Sequence, residues 1–233
     1  MTTVQTDLQA LRQAIKLLSR REREELAEWI LNSPDVEIGV AEPALPYGTR
    51  RHYYTVEEYL NFEEESPGRH EYVAGQIFAM SPPIIRHQMI TTNLATHLQN
   101  QLRGTPCRAF SSNAKLRMQA HDSDIFYIPD VMVCCGPFTE EVLDAQWLTD
   151  PCVVMEVVSA WTEAIDRREK VLNYRQIPSL EEYVLIAQRS MEVTVFSRSD
   201  NWRPQVLKAP EDVFESRAVE VNIPLASIYE GVR

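Results

Sequence analysis

Glycine is scarce in this chain, 7 of 233 residues. So few cannot form a glycine-rich phosphate loop or a dinucleotide fingerprint, and neither motif occurs. No serine sits in a glycine-flanked nucleophile elbow, so a Ser/His/Asp hydrolase is not supported. No apolar run approaches the roughly 20 residues that span a bilayer. Met1–Gln13 lacks the basic-then-apolar order of a signal peptide. A soluble, cytoplasmic protein with no membrane partner is expected. Cys107, Cys134, Cys135 and Cys152 show no paired metal-ligand spacing and lie in or beside apolar runs, so they are expected as reduced core residues and not as a zinc site. Acidic residues are missing from Tyr72 to His121, a stretch that carries Arg86, Arg103, Arg108, Lys115 and Arg117 with His87, His97 and His121. The net charge of −11 argues against an indiscriminate nucleic-acid coat. The acid-free stretch could still turn one basic face, with Arg86, Arg103, Lys115 and Arg117, toward a polyanion. Chance clustering on a solvated surface is the plain alternative.

What is present suffices for one substantial core with a small appendage, 44% of residues being hydrophobic. Leu8, Leu11, Ile15 and Leu18 recur at helical spacing, and Ser19 with Glu22 resembles a capping box before Leu26, Trp29 and Ile30. Residues 1–34 are therefore read as a helical hairpin, and residues 35–52, interrupted by Pro43, Pro46 and Gly48, as a linker. The main domain, residues 53–233, opens on a helix capped by Thr55. Two strands turning at Ala74-Gly75 follow, then a helix from Pro82 to about Leu102. Strands are expected near Cys107–Phe110, Ala114–Met118, Ile128–Cys134 and Cys152–Val158, and a helix over Thr162–Arg175. Further strands are expected at Tyr183–Ile186, Val193–Ser197, Pro204–Leu207 and Ala218–Val221. The alternation implies an α/β or α+β domain with a mixed central sheet flanked by helices.

Two acids stand where acids are costly. Glu156 lies inside the apolar run 152–158, and Asp130 heads the run that follows Pro129. An ionised carboxylate in a buried strand needs a cation or strong donors. If the two strands are neighbours, the pair suits Mg2+ or Mn2+, which take oxygen ligands. Taken singly, a turn former after proline accounts for Asp130, and a buried ion pair with Arg168 or Lys170 accounts for Glu156. Asp166, Lys170 and Tyr174 are spaced four apart on one helical face. They form either a surface pair or a row aimed into the site. Glu71 could be a third acidic group. His87 lies three residues before Ile90 on the inward stripe and reads as a core or capping histidine, or as a phosphate contact.

These segments resemble a family. His70-Glu71-Tyr72-Val73-Ala74-Gly75-Gln76-Ile77, Met80-Ser81-Pro82 leading to His87, Ile128-Pro129-Asp130-Val131 and Met155-Glu156-Val157-Val158-Ser159 carry the likeness. Asp166, Lys170, Tyr174 and Glu182-Tyr183 complete it. From about Tyr53 to Val232 the chain resembles the Uma-type family of bacterial endonucleases in the restriction-endonuclease-like, PD-(D/E)XK superfamily. The resemblance implies a mixed central sheet flanked by helices, a homodimer, and magnesium-dependent hydrolysis of DNA. It places the metal-binding acids at Asp130 and Glu156. The superfamily's lysine would fall at position 158, where this chain has valine, and Lys170 looks like a migrated substitute. The N-terminal helices lie outside the likeness and are read as an oligomerisation or partner-binding element. The alternative from another class is a catalytically inactive nuclease-fold module that binds nucleic acid or a protein. A small-molecule phosphohydrolase would share the metal logic but needs a closed pocket.

Overall fold

Alternation along one strand organises the described part of the molecule. In β8 (Pro151–Val158), Val153, Met155 and Val157 enter one apolar cluster, and Val154 and Val158 enter another on the opposite face. A strand buried on both faces reads as a continuous apolar run, which is why residues 152–158 look as they do. The computed structural model describes residues 53–111, 113–120, 122–158 and 169–232. The helical hairpin expected over 1–34, the linker over 35–52, Asp166 and most of the helix expected over 162–175 lie outside the described residues.

β8 sits inside a six-stranded mixed sheet. Its other members are β3 (Cys107–Ser111), β6 (Val131–Cys135), β9 (Glu182–Ala187), β10 (Val193–Ser197) and β11 (Pro204–Leu207), in the order β11-β10-β9-β8-β6-β3. β8 and β9 run parallel; every other neighbouring pair is antiparallel. A parallel neighbour requires a crossover connection, and that segment carries α4 (Val171–Tyr174). A second sheet holds β1 (His70–Val73), β2 (Gln76–Ala79), β4 (Lys115–Ala120), β5 (Ser123–Tyr127) and β7 (Trp147–Leu148), in the order β2-β1-β5-β4-β7.

The two apolar clusters show how these layers pack. On one face of the large sheet lie Ile90, Leu94 and Leu98 of α2 (Ile85–Gln101), with β12 (Val213–Ser216), β13 (Val221–Pro224) and α5 (Leu225–Ile228). On the other face Leu116, Met118 and Ile125 of the small sheet meet Met132, Val154 and Tyr174. The central sheet is mixed, as expected; among the described residues the long helix α2 covers one face, and the second sheet together with α4 covers the other. The outer side of that second sheet carries α1 (Val56–Glu65), whose Tyr59 is fully buried, stacks on Tyr72 at 5.1 Å and donates to the His70 carbonyl at 2.8 Å. Thr55 caps α1 through a capping box with Glu58.

The turn expected at Ala74-Gly75 joins β1 to β2 as a two-residue loop, with φ of 49° and 88°. Positive φ at both positions is the primed turn that matches strand twist. A Cβ on Gly75 would also lie 2.9 Å from Tyr53 Cδ1, so glycine is required twice over. Several expectations are corrected in detail. The run read as one strand over Ile128–Cys134 begins only at Val131, after an unpredicted strand β5 that ends at Tyr127. Pro129, with no backbone N–H, lies between them. The strand expected at Ala218–Val221 is a turn leading into β13. Cys107 and Cys135, expected as reduced thiols, are joined in a disulfide, because β3 pairs with β6 and sets the two directly opposite each other. Cys134 and Cys152 are free. Among the described residues no helix is long and apolar enough to cross a membrane.

Candidate active site

β6 and β8 are antiparallel, with Val131 opposite Met155. Continuing that register by one residue sets Asp130 opposite Glu156. Both fall on the face of the large sheet that meets the small one, since their neighbours Met132 and Val154 do. The two acids are stitched reciprocally through the backbone. The Asp130 N–H donates to Glu156 Oε2 at 3.3 Å, and the Val157 N–H donates to Asp130 Oδ2 at 2.7 Å. The sequence therefore brings together two carboxylates 26 residues apart by register alone.

Four further side chains converge on this pair. Lys170, at the entry to α4, donates through Nζ to Glu156 Oε1 at 3.2 Å and to Glu71 Oε1 at 2.9 Å. Tyr174, one helical turn later on the same face, donates its hydroxyl to Glu156 Oε1 at 3.0 Å. His87, in the first turn of α2, lies 2.8 Å through Nε2 from Asp130 Oδ1. The direction of that bond is set by the tautomer of the ring. Of the residues singled out in the sequence, Asp130, Glu156, Lys170, Glu71, His87 and Tyr174 thus form one connected cluster.

Burial gives the cluster its electrostatic weight. The side chains of Glu156 and Lys170 are only 7% and 11% exposed, and that of Glu71 only 15%. Such an arrangement holds charges in place while strengthening their interaction. Burial, reinforced by the Glu156 carboxylate, pushes the Tyr174 hydroxyl well above its ordinary range, so it stays protonated and donates. Two residues escaped the sequence reading. The Tyr127 ring centroid is 5.0 Å from Lys170 Nζ, and Asn173 Nδ2 donates to the Tyr127 hydroxyl at 2.7 Å. Tyr127 resembled any strand aromatic, and Asn173 any helix-surface amide. The only sequence signal was their adjacency to the Ile128-Pro129-Asp130 and Lys170–Tyr174 segments. Behind them an aromatic row, Tyr127–Tyr174–Tyr183–Phe196, supports the floor at centroid spacings of 5.2, 5.0 and 6.1 Å.

The four basic positions do not gather in the same way. Arg86 adjoins His87, whereas Arg103 follows the far end of α2, about 25 Å along the helix axis. Lys115 and Arg117 alternate with Leu116 and Met118 and so face away from the large sheet. Arg117 pairs with Asp124 at 3.0 Å and lies over the rings of Phe126 and Trp147.

The donor chemistry fits a hard divalent cation. Asp130 uses only two of its roughly four lone-pair directions in these bonds. Three carboxylates (Glu71, Asp130, Glu156) against one ammonium leave a surplus of two negative charges over these residues. Mg2+ is held through one or two carboxylates, with water and substrate phosphate completing its shell. A preformed all-protein cage is a different matter: among the described residues no group of three or more His, Cys, Asp or Glu is arranged to hold a metal.

Comparison with known proteins agrees with this architecture. The model of the family described as "Uma2: Putative restriction endonuclease" matches residues 56–226. The "Uncharacterized protein slr1290" of Synechocystis sp. is 33% identical over 177 residues, covering 76% of this chain and 91% of that protein. A second Synechocystis sp. protein, "Uncharacterized protein sll1609", is 32% identical over 136 residues, covering 58% of this chain and 75% of its own. A crystal structure from Anabaena variabilis, described as "a putative nuclease belonging to DUF820", superposes with a TM-score of 0.65 over 77% of this chain and 99% of its own. At 17% identity that likeness concerns the fold, which is the mixed α+β, restriction-endonuclease-like one. With a match running from α1 into α5, the chain belongs to the Uma2 family.

Proposed function

We propose that this chain is an endonuclease that hydrolyses DNA phosphodiester bonds with the help of Mg2+ or Mn2+. The observation that carries the reading is the register pairing of Asp130 with Glu156 beside the Lys170 ammonium. In this reading Asp130 and Glu156 are the metal ligands. When bound, the ion supplies Lewis acidity at a phosphoryl oxygen. Lys170 orients the attacking water and counters the charge that develops on the phosphate, an effect that grows as water is excluded. Glu71 and Tyr174 hold Lys170 and Glu156 in place, so neither must reorganise during the reaction. His87 and the Val157 N–H fix the two oxygens of Asp130. Asp166 belongs to the same helical row in the sequence and is kept as an accessory residue. Arg86, beside His87, is the basic residue best situated to meet the DNA backbone; Arg103, Lys115 and Arg117 would contribute from other faces. Residues 1–34, whose sequence reads as a helical hairpin, are proposed to hold a homodimer or a partner chain.

Plasmid nicking in Mg2+ tests this reading. Asp130→Asn, Glu156→Gln and Lys170→Met, each verified as folded by circular dichroism, should lower the rate on the order of 10²–10³-fold. Nicking that survives in all three rejects the site. The second reading, a non-catalytic module of the same fold, draws on Val158 standing where the superfamily has its lysine. Salt-sensitive DNA binding by the wild-type chain, without nicking in Mg2+ or Mn2+, would select it.

A further inference from the structure

A β-bulge interrupts the β6–β8 ladder: Val133 pairs with Val153, but Cys134 pairs with Pro151, which leaves Cys152 as the extra residue. Simple alternation would turn Cys152 toward the small sheet with Val154. The bulge instead packs it on the opposite apolar cluster, the side that holds Cys107. Re-aiming a side chain is what a bulge does. The consequence is a meeting of three sulfurs. Cys107 is bonded to Cys135, and Cys152 Sγ lies 3.4 Å from Cys135 Sγ and 3.1 Å from the Val133 carbonyl oxygen. Cys134, the fourth cysteine, belongs to the other face and takes no part. This cluster is about 17 Å along β6 from Asp130 and independent of the proposed nuclease site.

We propose that the bulge builds an intramolecular thiol–disulfide exchange site. The Cys152 thiolate attacks Cys135 Sγ; a Cys135–Cys152 bond forms as the Cys107–Cys135 bond breaks. Cys107 leaves as a thiolate and takes up the proton that Cys152 released. The step is an isomerisation, with no oxidant or reductant consumed. It moves the covalent tie from the β3–β6 pair to the β6–β8 pair and leaves the edge strand β3 held by its five-residue ladder to β6. Burial pushes the Cys152 thiol up to about 11, so the reactive thiolate is a minor species near neutrality. Exchange is therefore expected over minutes to hours.

Disulfide mapping decides the matter. The full-length chain is oxidised with glutathione disulfide, incubated in mildly alkaline buffer, quenched with acid and alkylated. Cleavage after basic and glutamate residues separates Cys107, Cys135 and Cys152 onto three peptides, and fragmentation of the peptide that holds both Cys134 and Cys135 assigns which of the two is linked. The expected result is a Cys135–Cys152 peptide pair that grows with time as the Cys107–Cys135 pair declines, and that is absent from Cys152→Ser. Cys107→Ser, treated alike, should give Cys135–Cys152 as its main disulfide. A wild-type chain that keeps only the Cys107–Cys135 pair throughout, forms no disulfide, or links Cys134 instead overturns the proposal. The wild-type time course stands even if the Cys107→Ser variant does not fold.

Discussion

Replacing Lys170 with methionine keeps the length of the side chain and removes one charge, which isolates the electrostatic role of the ammonium. Nζ is the shared partner of Glu71 and Glu156, and all three side chains are at least 85% buried. Removing one member of a buried ion pair costs about 3–5 kcal/mol, because the remaining charge loses its partner without regaining water. Here two carboxylates lose it together. Since a domain of this size shifts by about 2–4 °C per kcal/mol, the melting temperature of Lys170→Met should fall by about 6–20 °C in metal-free buffer. A cation that binds the acids then replaces the missing charge. Saturation at 100 times its dissociation constant returns about 2.7 kcal/mol. Mg2+ should consequently raise the melting temperature of the variant more than that of the wild type, and should do neither when Asp130→Asn is added. Differential scanning calorimetry with and without Mg2+ reads both effects. A loss below about 1 kcal/mol would mean that the carboxylates do not depend on the ammonium. A variant indifferent to Mg2+ would mean that they do not form a cation site. Either result refutes the electrostatic account of the cluster.

Three other expectations are independent of that one. Gly75→Ala should destabilise by about 1–2 kcal/mol or more, since its φ of 88° disfavours any Cβ and Tyr53 obstructs one; an unchanged urea midpoint would contradict the turn geometry. Burial pushes Tyr127 and Tyr229 up to about 12 from an ordinary 10, Cys134 up to about 12 and Cys152 up to about 11 from 9. The unfolded chain therefore releases these protons first. Stability is fully present below about pH 9 and lost as pH climbs toward about 12, so a flat urea midpoint across that window would refute the burial of these groups. Deletion of residues 1–34 should change the elution volume on gel filtration by more than the lost mass explains, while Mg2+-induced thermal stabilisation persists; an elution volume that follows mass alone would remove the oligomerisation role.

Local patterns carried much of the fold. Thr55 and Glu58 form a capping box whose partners are three residues apart, and Ala74-Gly75 makes its turn with neighbours only. The apolar run 152–158 is a strand because its composition suits burial on both faces. Glu156 stood out there because a carboxylate in such a run demands a partner. Where interactions join residues far apart in the chain, the sequence was silent. The second sheet covering one side of the first, the hairpin partner β5 hidden before Pro129, and the Cys107–Cys135 bond all depend on which strands pair and in what register. So the sequence by itself determined the chemical inventory: two costly acids, a lysine and a tyrosine one helical turn apart, and a histidine on an inward stripe. Only the tertiary structure decided that these groups meet. The antiparallel β6–β8 register sets Asp130 beside Glu156, and the crossover to the parallel strand β9 carries Lys170 and Tyr174 back over them. Strand register is settled by the sum of many weak side-chain contacts across the sheet, and no local stretch of sequence contains that sum.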